Sequence, residues 1–338
     1  MAQVLFAGGR LDSLSILGGA PVNDTTAGSF DPAYSDSAAT CAQPADIVQA
    51  TQVNAAGVAL DLSGTQTGWY HTVYFTQGNP AAGNMPMFLV DSAGNPWVAV
   101  RTLGTTQLAL YYNSGTGASP VWTQVGTIAY SHINYTRLEF DLRLTLGSPH
   151  TAEFYVNRSL LTSGTFTQAA LTTIRGMRLS TIGNAVSCYY SQIFITEGIP
   201  TIGAKVKSCR ATAAGTNTGW TGAYTDVNEP VNSDTTVNTA TTAGLRQTYP
   251  ITALTVPAGY TINTVMHVFR AKNDGTTPVN LKSAVRRAAT NYDNASNVSG
   301  LGLGFSPILT RYDTDPSTAA AWTQANFNAA EFGYLSVT

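Results

Sequence analysis

The chain has 338 residues, 43% of them hydrophobic and 11% charged, with a net charge of −2. That charged fraction is far below the usual ~25%, and with no basic stripe nucleic acid is excluded as an expected partner. No apolar run reaches the ~18 residues of a membrane span, so no membrane insertion is expected. The opening MAQVLFAGGRLDSL lacks the basic and apolar regions of a signal peptide. The expectation is a protein that either stays in the cytoplasm or leaves it by another route, such as cell lysis. Aromatics make up 10% and are spread along the chain, which argues for packed cores rather than disorder. Cys41, Cys188 and Cys209 form neither a disulfide framework nor a metal cluster. Buried thiols are expected, with a Cys41–Cys188 bridge the alternative.

Strand signals recur in chain order. Pro21–Ala50 is weakly patterned and reads as a long loop or a partner-facing region. Trp69–Phe75 is aromatic and β-branched. Met85–Arg101 reads as strand, turn, strand, the turn DSAGNP using Gly94 for positive φ and Pro96 to start the next strand. Gln107–Asn113 and Pro120–Gly126 follow. Arg137–Leu146 alternates most clearly: Leu138, Phe140, Leu142 and Leu144 point one way, Glu139, Asp141 and Arg143 the other. That pattern predicts a half-buried strand with one wet face. Thr151–Leu161 runs back with Ala152, Phe154 and Val156 inward. GMRLSTIG and CYYSQIFITEG close the region near Gly198. Short strands at ~8–12-residue spacing with Gly/Asn/Pro turns indicate a sandwich or barrel.

A boundary falls in Glu197–Lys205, where Pro200 ends the strand pattern. In the second region, TVMHVFRAKNDGTTPVNLKSAVRR predicts a hairpin about Asn273–Gly275. Asp315–Ala330 predicts a loop with one helical turn. It delivers EFGYLSV as a last strand that covers a sheet edge.

The runs FLVDSAGNPWVAVR, LALYYNSG, VWTQVG, YTRLEFDLRL and EFYVNRSLLTSGTF resemble the centre of the concanavalin-A-like/laminin-G jelly roll. The second region resembles C-terminal domains of bacteriophage structural proteins. Its DVNE segment, its NDG and its ending on Asp315, Pro316, Trp322, Glu331, Phe332 and Gly333 carry that likeness. The resemblance implies an all-β chain of two β-sandwiches, a jelly roll over 1–198 and a smaller antiparallel sandwich over 199–338. It gives the six C-terminal residues a structural role in assembly and anchoring.

Catalytic patterns are sparse. The glutamates are Glu139, Glu153, Glu197, Glu229 and Glu331, and no Glu-x-Asp-x-x-Glu motif joins them. Glu139 and Asp141 share a strand face, with Glu153 on the expected partner strand. They read as a solvated or subunit-facing stripe paired with Arg143, rather than as the facing carboxylates ~5–5.5 Å apart that a retaining glycosidase needs. His71, His132, His150 and His267 are scattered without metal spacing. Asp91–Asn95 and Thr225–Pro230, with Asp226 and Glu229, are the acidic loops, and neither offers the 6–8 oxygens of a Ca²⁺ site alone. No cofactor is expected, a loop Ca²⁺ being the exception left open. Among the aromatics, Trp69, Tyr111 and Tyr112 are the candidate glycan or partner contacts. Tyr111 and Tyr112 are adjacent, so one of them faces away from whatever the other packs on.

The expected function is that of a non-catalytic bacteriophage virion protein, tail-fibre-like or capsid-decorating, assembled in the host cytoplasm. Its expected partners are other virion proteins, further copies of itself with a trimer favoured, and a host-surface glycan. A polysaccharide-degrading tail enzyme and a secreted bacterial lectin are the alternatives.

Overall fold

The computed structural model describes residues 3–8, 22–23, 48–50, 56–62, 67–76, 81–103, 107–126, 130–131, 138–179, 188–228, 234–275 and 280–338. The chain divides into two compact units, one extending to Val206 and the other running Lys207–Thr338. The segment from Ile199 to Val206 therefore lies with the first unit. Cys41 and most of Pro21–Ala50 fall outside the described residues, as does the Cys188 side chain, and with them the proposed bridge.

The first unit is built from β1 (Gln3–Gly8), β2 (Val22–Asn23), β3 (Val48–Ala50), β4 (Ala56–Leu62), β5 (Thr67–Thr76), β6 (Met87–Val90), β7 (Pro96–Leu103) and β8 (Gln107–Asn113). Then follow β9 (Trp122–Gln124), β10 (Tyr130–Ser131), β11 (Leu138–Thr145), β12 (His150–Val156), β13 (Ser159–Phe166), β14 (Ile174–Leu179) and β15 (Cys188–Glu197). All pairings are antiparallel. One sheet runs β13-β12-β11-β5-β15-β3-β2 with β1 also on β15, the other β10-β8-β7-β6-β14-β4 with β9 also on β8. The architecture is the β-sandwich jelly roll expected.

Period-two alternation builds the core. Leu138, Phe140, Leu142 and Leu144 are at most 1% exposed and meet Met87, Val98, Val100 and Leu110 of the other sheet in one cluster. Each such side chain contributes roughly 1.5–3 kcal/mol by leaving water. Tyr74 stacks on Phe140 at 5.2 Å, and Phe154 meets Phe140 edge-on at 5.4 Å. The β6–β7 turn forms as expected on Gly94 at φ 83°.

Two local departures shape the outer faces. Thr151–Leu161 is not one returning strand: it folds back at Asn157 (φ 49°) and Arg158 (φ 70°) into the β12–β13 hairpin. Successive left-handed residues are the tight-hairpin geometry, and Asn157 secures it by accepting from the Glu139 amide at 2.9 Å through Oδ1. In β15, pairing with β5 slips between Ser191 and Phe194 around Gln192 at φ 49°. This bulge keeps Tyr190 and Ile193 in the core while turning Phe194 outward.

The second unit holds β16 (Arg246–Pro250), β17 (Val265–Ala271), β18 (Asn280–Arg287), β19 (Thr290–Asp293), β20 (Ser306–Tyr312), the short helix α1 (Gln324–Asn328) and β21 (Glu331–Val337). One sheet runs β16-β21-β18-β19 and the other is β17-β20. The expected hairpin of β17 on β18 does not form. β18 is occupied on both edges by β21 and β19, and β17 pairs β20. The helical turn is present, capped by Thr323 Oγ1, which accepts from the Asn326 amide at 3.1 Å.

β21 is not an edge cover; it is an interior strand paired on both sides. The C-terminal residues have individual structural tasks there. Asp315 is fully buried, accepts from the Ser317 amide at 2.9 Å and lies 3.5 Å from Arg287, with Pro316 next in the same turn. Trp322 donates to the Tyr312 carbonyl at 3.0 Å and lies in the core with Phe327 and Phe332. Glu331 accepts from Thr248 Oγ1 at 2.6 Å, Thr216 Oγ1 at 2.6 Å and the Thr216 amide at 2.8 Å. A Cβ on Gly333 would lie 1.9 Å from the Gln247 carbonyl oxygen, so only glycine lets β16 approach.

His267 of β17 sits between Phe269 and Phe332, with Nδ1 2.6 Å from Ser283 Oγ. Burial pushes its pKa down from 6.5 to about 4. A folded pKa below the unfolded one means the unfolded chain binds the extra proton. The stability of the second unit is therefore full above pH 6.5 and falls by about 3 kcal/mol as the pH drops to about 4. Urea unfolding across that range should show the loss in the wild type and a flatter profile in His267→Gln. Parallel profiles would contradict it.

Candidate functional site

Two outer faces of the first unit carry the polar chemistry. On the eight-stranded sheet, β5 and β11 pair with His71 opposite Asp141 and Trp69 opposite Arg143. Asp141 Oδ1 lies 2.7 Å from His71 Nδ1 and accepts from Thr201 Oγ1 at 2.5 Å. Phe194, turned out by the bulge, stacks on His71 at 4.2 Å. Arg158, placed by the tight hairpin, donates from Nε to Glu139 Oε2 at 3.1 Å.

The wet face expected of β11 is thus closed where it meets His71: Glu139 is 3% exposed and Asp141 0%. Arg143 does form an ion pair, but with Glu153, at 2.9 Å. Tyr155 OH donates to the other Glu153 oxygen at 2.9 Å. Glu139 and Glu153 do not face each other. Glu153 lies opposite Arg143, four residues along β11 from Glu139, a separation of roughly 14 Å along the strand at 3.4 Å per residue.

On the seven-stranded sheet, Val98, Val100, Leu110 and Tyr112 face the core, so Ala99, Arg101 and Tyr111 face outward. The Arg101 guanidinium lies 4.9 Å from the Tyr111 ring centroid and 5.3 Å from that of Trp122. Trp122 is brought there by the loop that Asn113 holds. Its amide nitrogen donates to the Pro96 and Thr116 carbonyls, and its oxygen accepts from the Gly115 and Val121 amides. Arg178 projects from β14 on the same face, in register with Phe88. Gly83 and Gly94, both at positive φ, let two loops lie against these arginines. A Cβ there would be 3.1 Å from Arg101 Nη2 and 3.0 Å from Arg178 Nη2. Burial lowers both guanidinium pKa values. Among the described residues neither arginine forms an ion pair with a carboxylate.

The structure separates the three aromatic candidates. Tyr111 is the outward member of its pair and stands over Arg101. Tyr112 is the inward member, stacked on Phe166 at 4.5 Å against the core. Trp69 is 6% exposed, with the Arg143 guanidinium 5.6 Å from its ring and Tyr155 at 5.7 Å, so its face is covered. The acidic loops act as turns. Asp91 accepts from the Ala93 and Asn95 amides, the Asn95 side chain and Trp97 Nε1. Burial raises its pKa, but these hydrogen bonds outweigh that and hold it low. Asp226 accepts from the Ala223 amide at 2.7 Å; Glu229 and His132 lie outside the described residues. Arg101, Arg178, Thr201 and Arg158 went unnoticed in the sequence. Alternation in PWVAVRTL does carry the signal for Arg101, since it puts Arg101 opposite in sense to Val98 and Val100.

No protein-family model matches the chain, and no curated protein matches it. Among solved structures it is similar to an endo-β-1,4-glucuronan lyase from the fungus Trichoderma reesei (TM-score 0.39, 11% identity, 56% of this chain and 93% of that one). It is also similar to the Emp47p carbohydrate recognition domain (TM-score 0.36, 9% identity, 46% and 84%). A third is the alginate lyase Aly36B in complex with an alginate trisaccharide (TM-score 0.34, 12% identity, 44% and 81%). At these identities the likeness concerns fold alone.

Replacing each member of the tyrosine pair tests this placement. Tyr112→Ala removes a ring from the core and should cost about 2–4 kcal/mol in thermal or urea unfolding. Tyr111→Ala should cost under about 1 kcal/mol, as surface substitutions do. The reverse order would mean that β8 is one residue out of register.

Proposed function

We propose that the first unit is a non-catalytic adhesion module. It binds an acidic saccharide on the outer face of its seven-stranded sheet, at Arg101, Tyr111 and Trp122. The observation that supports this reading is the Arg101 guanidinium flanked by two aromatic rings and lacking a carboxylate partner among the described residues. A guanidinium offers paired donors matched to a carboxylate or sulfate. The rings offer flat apolar surface to the C–H face of a sugar. A half-buried cation without a counter-charge is costly, and an anionic ligand relieves that cost. Glu139 and Asp141 are closed to a sugar ring, and Glu153 is engaged by Arg143 and Tyr155, which supports adhesion over hydrolysis.

In the same proposal the second unit anchors the chain in a bacteriophage virion, among other virion proteins and copies of itself. The support is the resemblance of its ending and a whole-chain composition poor in charge, as subunit interfaces are.

Calorimetric titration of the full chain with uronic-acid oligosaccharides and their neutral counterparts tests the binding half. Binding of the acidic series is expected, with Arg101→Met weakening it roughly 10–100-fold through the loss of a charged hydrogen bond or more, and Tyr111→Ala weakening it through the loss of a stacking ring face. Equal affinity in Arg101→Met, or new reducing ends released from the oligosaccharide, would overturn it. Light scattering tests the anchoring half, for which a trimer is expected and a monomer at every concentration is the contrary result.

A further inference from the structure

Glu139 and Asp141 leave one oxygen each unexplained. Asp141 Oδ1 is shared between His71 and Thr201, and Glu139 Oε2 is held by Arg158. Asp141 Oδ2 and Glu139 Oε1 are shut off from solvent and have no hydrogen-bond partner among the described residues. Desolvating a carboxylate oxygen without a partner is expensive, and here two such oxygens occur on one strand face. Residues two apart on a strand have Cα atoms about 7 Å apart. Yet one potential ligand atom from each of His71, Glu139 and Asp141 lies within 4.8 Å of the others. The side chains therefore lean together, against the mutual repulsion of two carboxylates. Arg158, its side chain 48% exposed, supplies one opposing charge.

We infer that His71, Glu139 and Asp141 ligate a divalent transition-metal ion on the outer face of the eight-stranded sheet. Ligand bonds of ~2.0–2.2 Å place two ligand atoms at most about 4.4 Å apart across an ion. The observed 4.8 Å spread closes with a shift of a few tenths of an ångström. One imidazole with two carboxylates suits Zn²⁺ or Mn²⁺, whereas Ca²⁺ takes six to eight oxygens. The neighbours fit the supporting tasks such ligands need. Thr201 Oγ1 fixes the Asp141 carboxylate and Phe194 fixes the plane of the His71 ring. Three strands and the segment after β15 thereby meet at one point. The inference is independent of saccharide binding, which uses the other sheet.

The test uses the full chain, stripped with EDTA, reloaded separately with Zn²⁺ and Mn²⁺, and freed of excess metal by gel filtration. Elemental mass spectrometry should count one ion per chain in the wild type and none in the Glu139→Gln/Asp141→Asn double variant. His71→Gln, which keeps both carboxylates, should lower the occupancy. A wild-type chain that retains no ion overturns the proposal whether or not the variants fold. Undiminished retention by the double variant, folded by circular dichroism, overturns the site.

Discussion

The register between β5 and β11 governs the first unit. With Asp141 opposite His71, the leucines of β11 enter the core and both carboxylates leave it. A slip of one residue would exchange the faces, moving Glu139 and Asp141 in among Phe140's apolar neighbours and setting Leu138 and Leu142 against the polar groups around His71. That exchange is costly from both sides at once, so the register is tightly specified. The bulge that turns Phe194 over His71, the hairpin that brings Arg158 to Glu139, and Thr201 beyond β15 all converge on the face this register creates.

A consequence is a division of labour between the sheets. Around His71 the eight-stranded sheet is closed on its outer face as well as its inner one. Over the seven-stranded sheet, Met85, Phe88, Val90 and Ala99 form a second small cluster, with Trp122 packed against it. Arg101, Tyr111 and Trp122 stay half-exposed beside that cluster.

Much of this was legible in the sequence, because alternation is a local signal. LEFDLRLT shows its faces residue by residue, and DSAGNP names its turn. What was hidden depends on partners far along the chain. His71 and Asp141 are 70 residues apart, and no spacing rule joins them. The wetness of a strand's second face is likewise invisible locally, since Thr201 and Phe194 cover it from β15 and beyond. The β17–β18 hairpin failed for a related reason. Turn chemistry at Asn273–Gly275 suggested adjacency, while β18 found better partners in β21 and β19. The final strand, sitting between β16 and β18, ties the end of the chain into the middle of its sheet.

The proposed saccharide surface is the outer face of the seven-stranded sheet. Hydroxyl-radical footprinting of the full chain, with and without saturating uronic-acid oligosaccharide, locates the contact directly. Loss of reactivity is expected at Tyr111 and Trp122, with Tyr155 unchanged. Protection at Tyr155 with Tyr111 and Trp122 still reactive would place the ligand on the opposite sheet and contradict it.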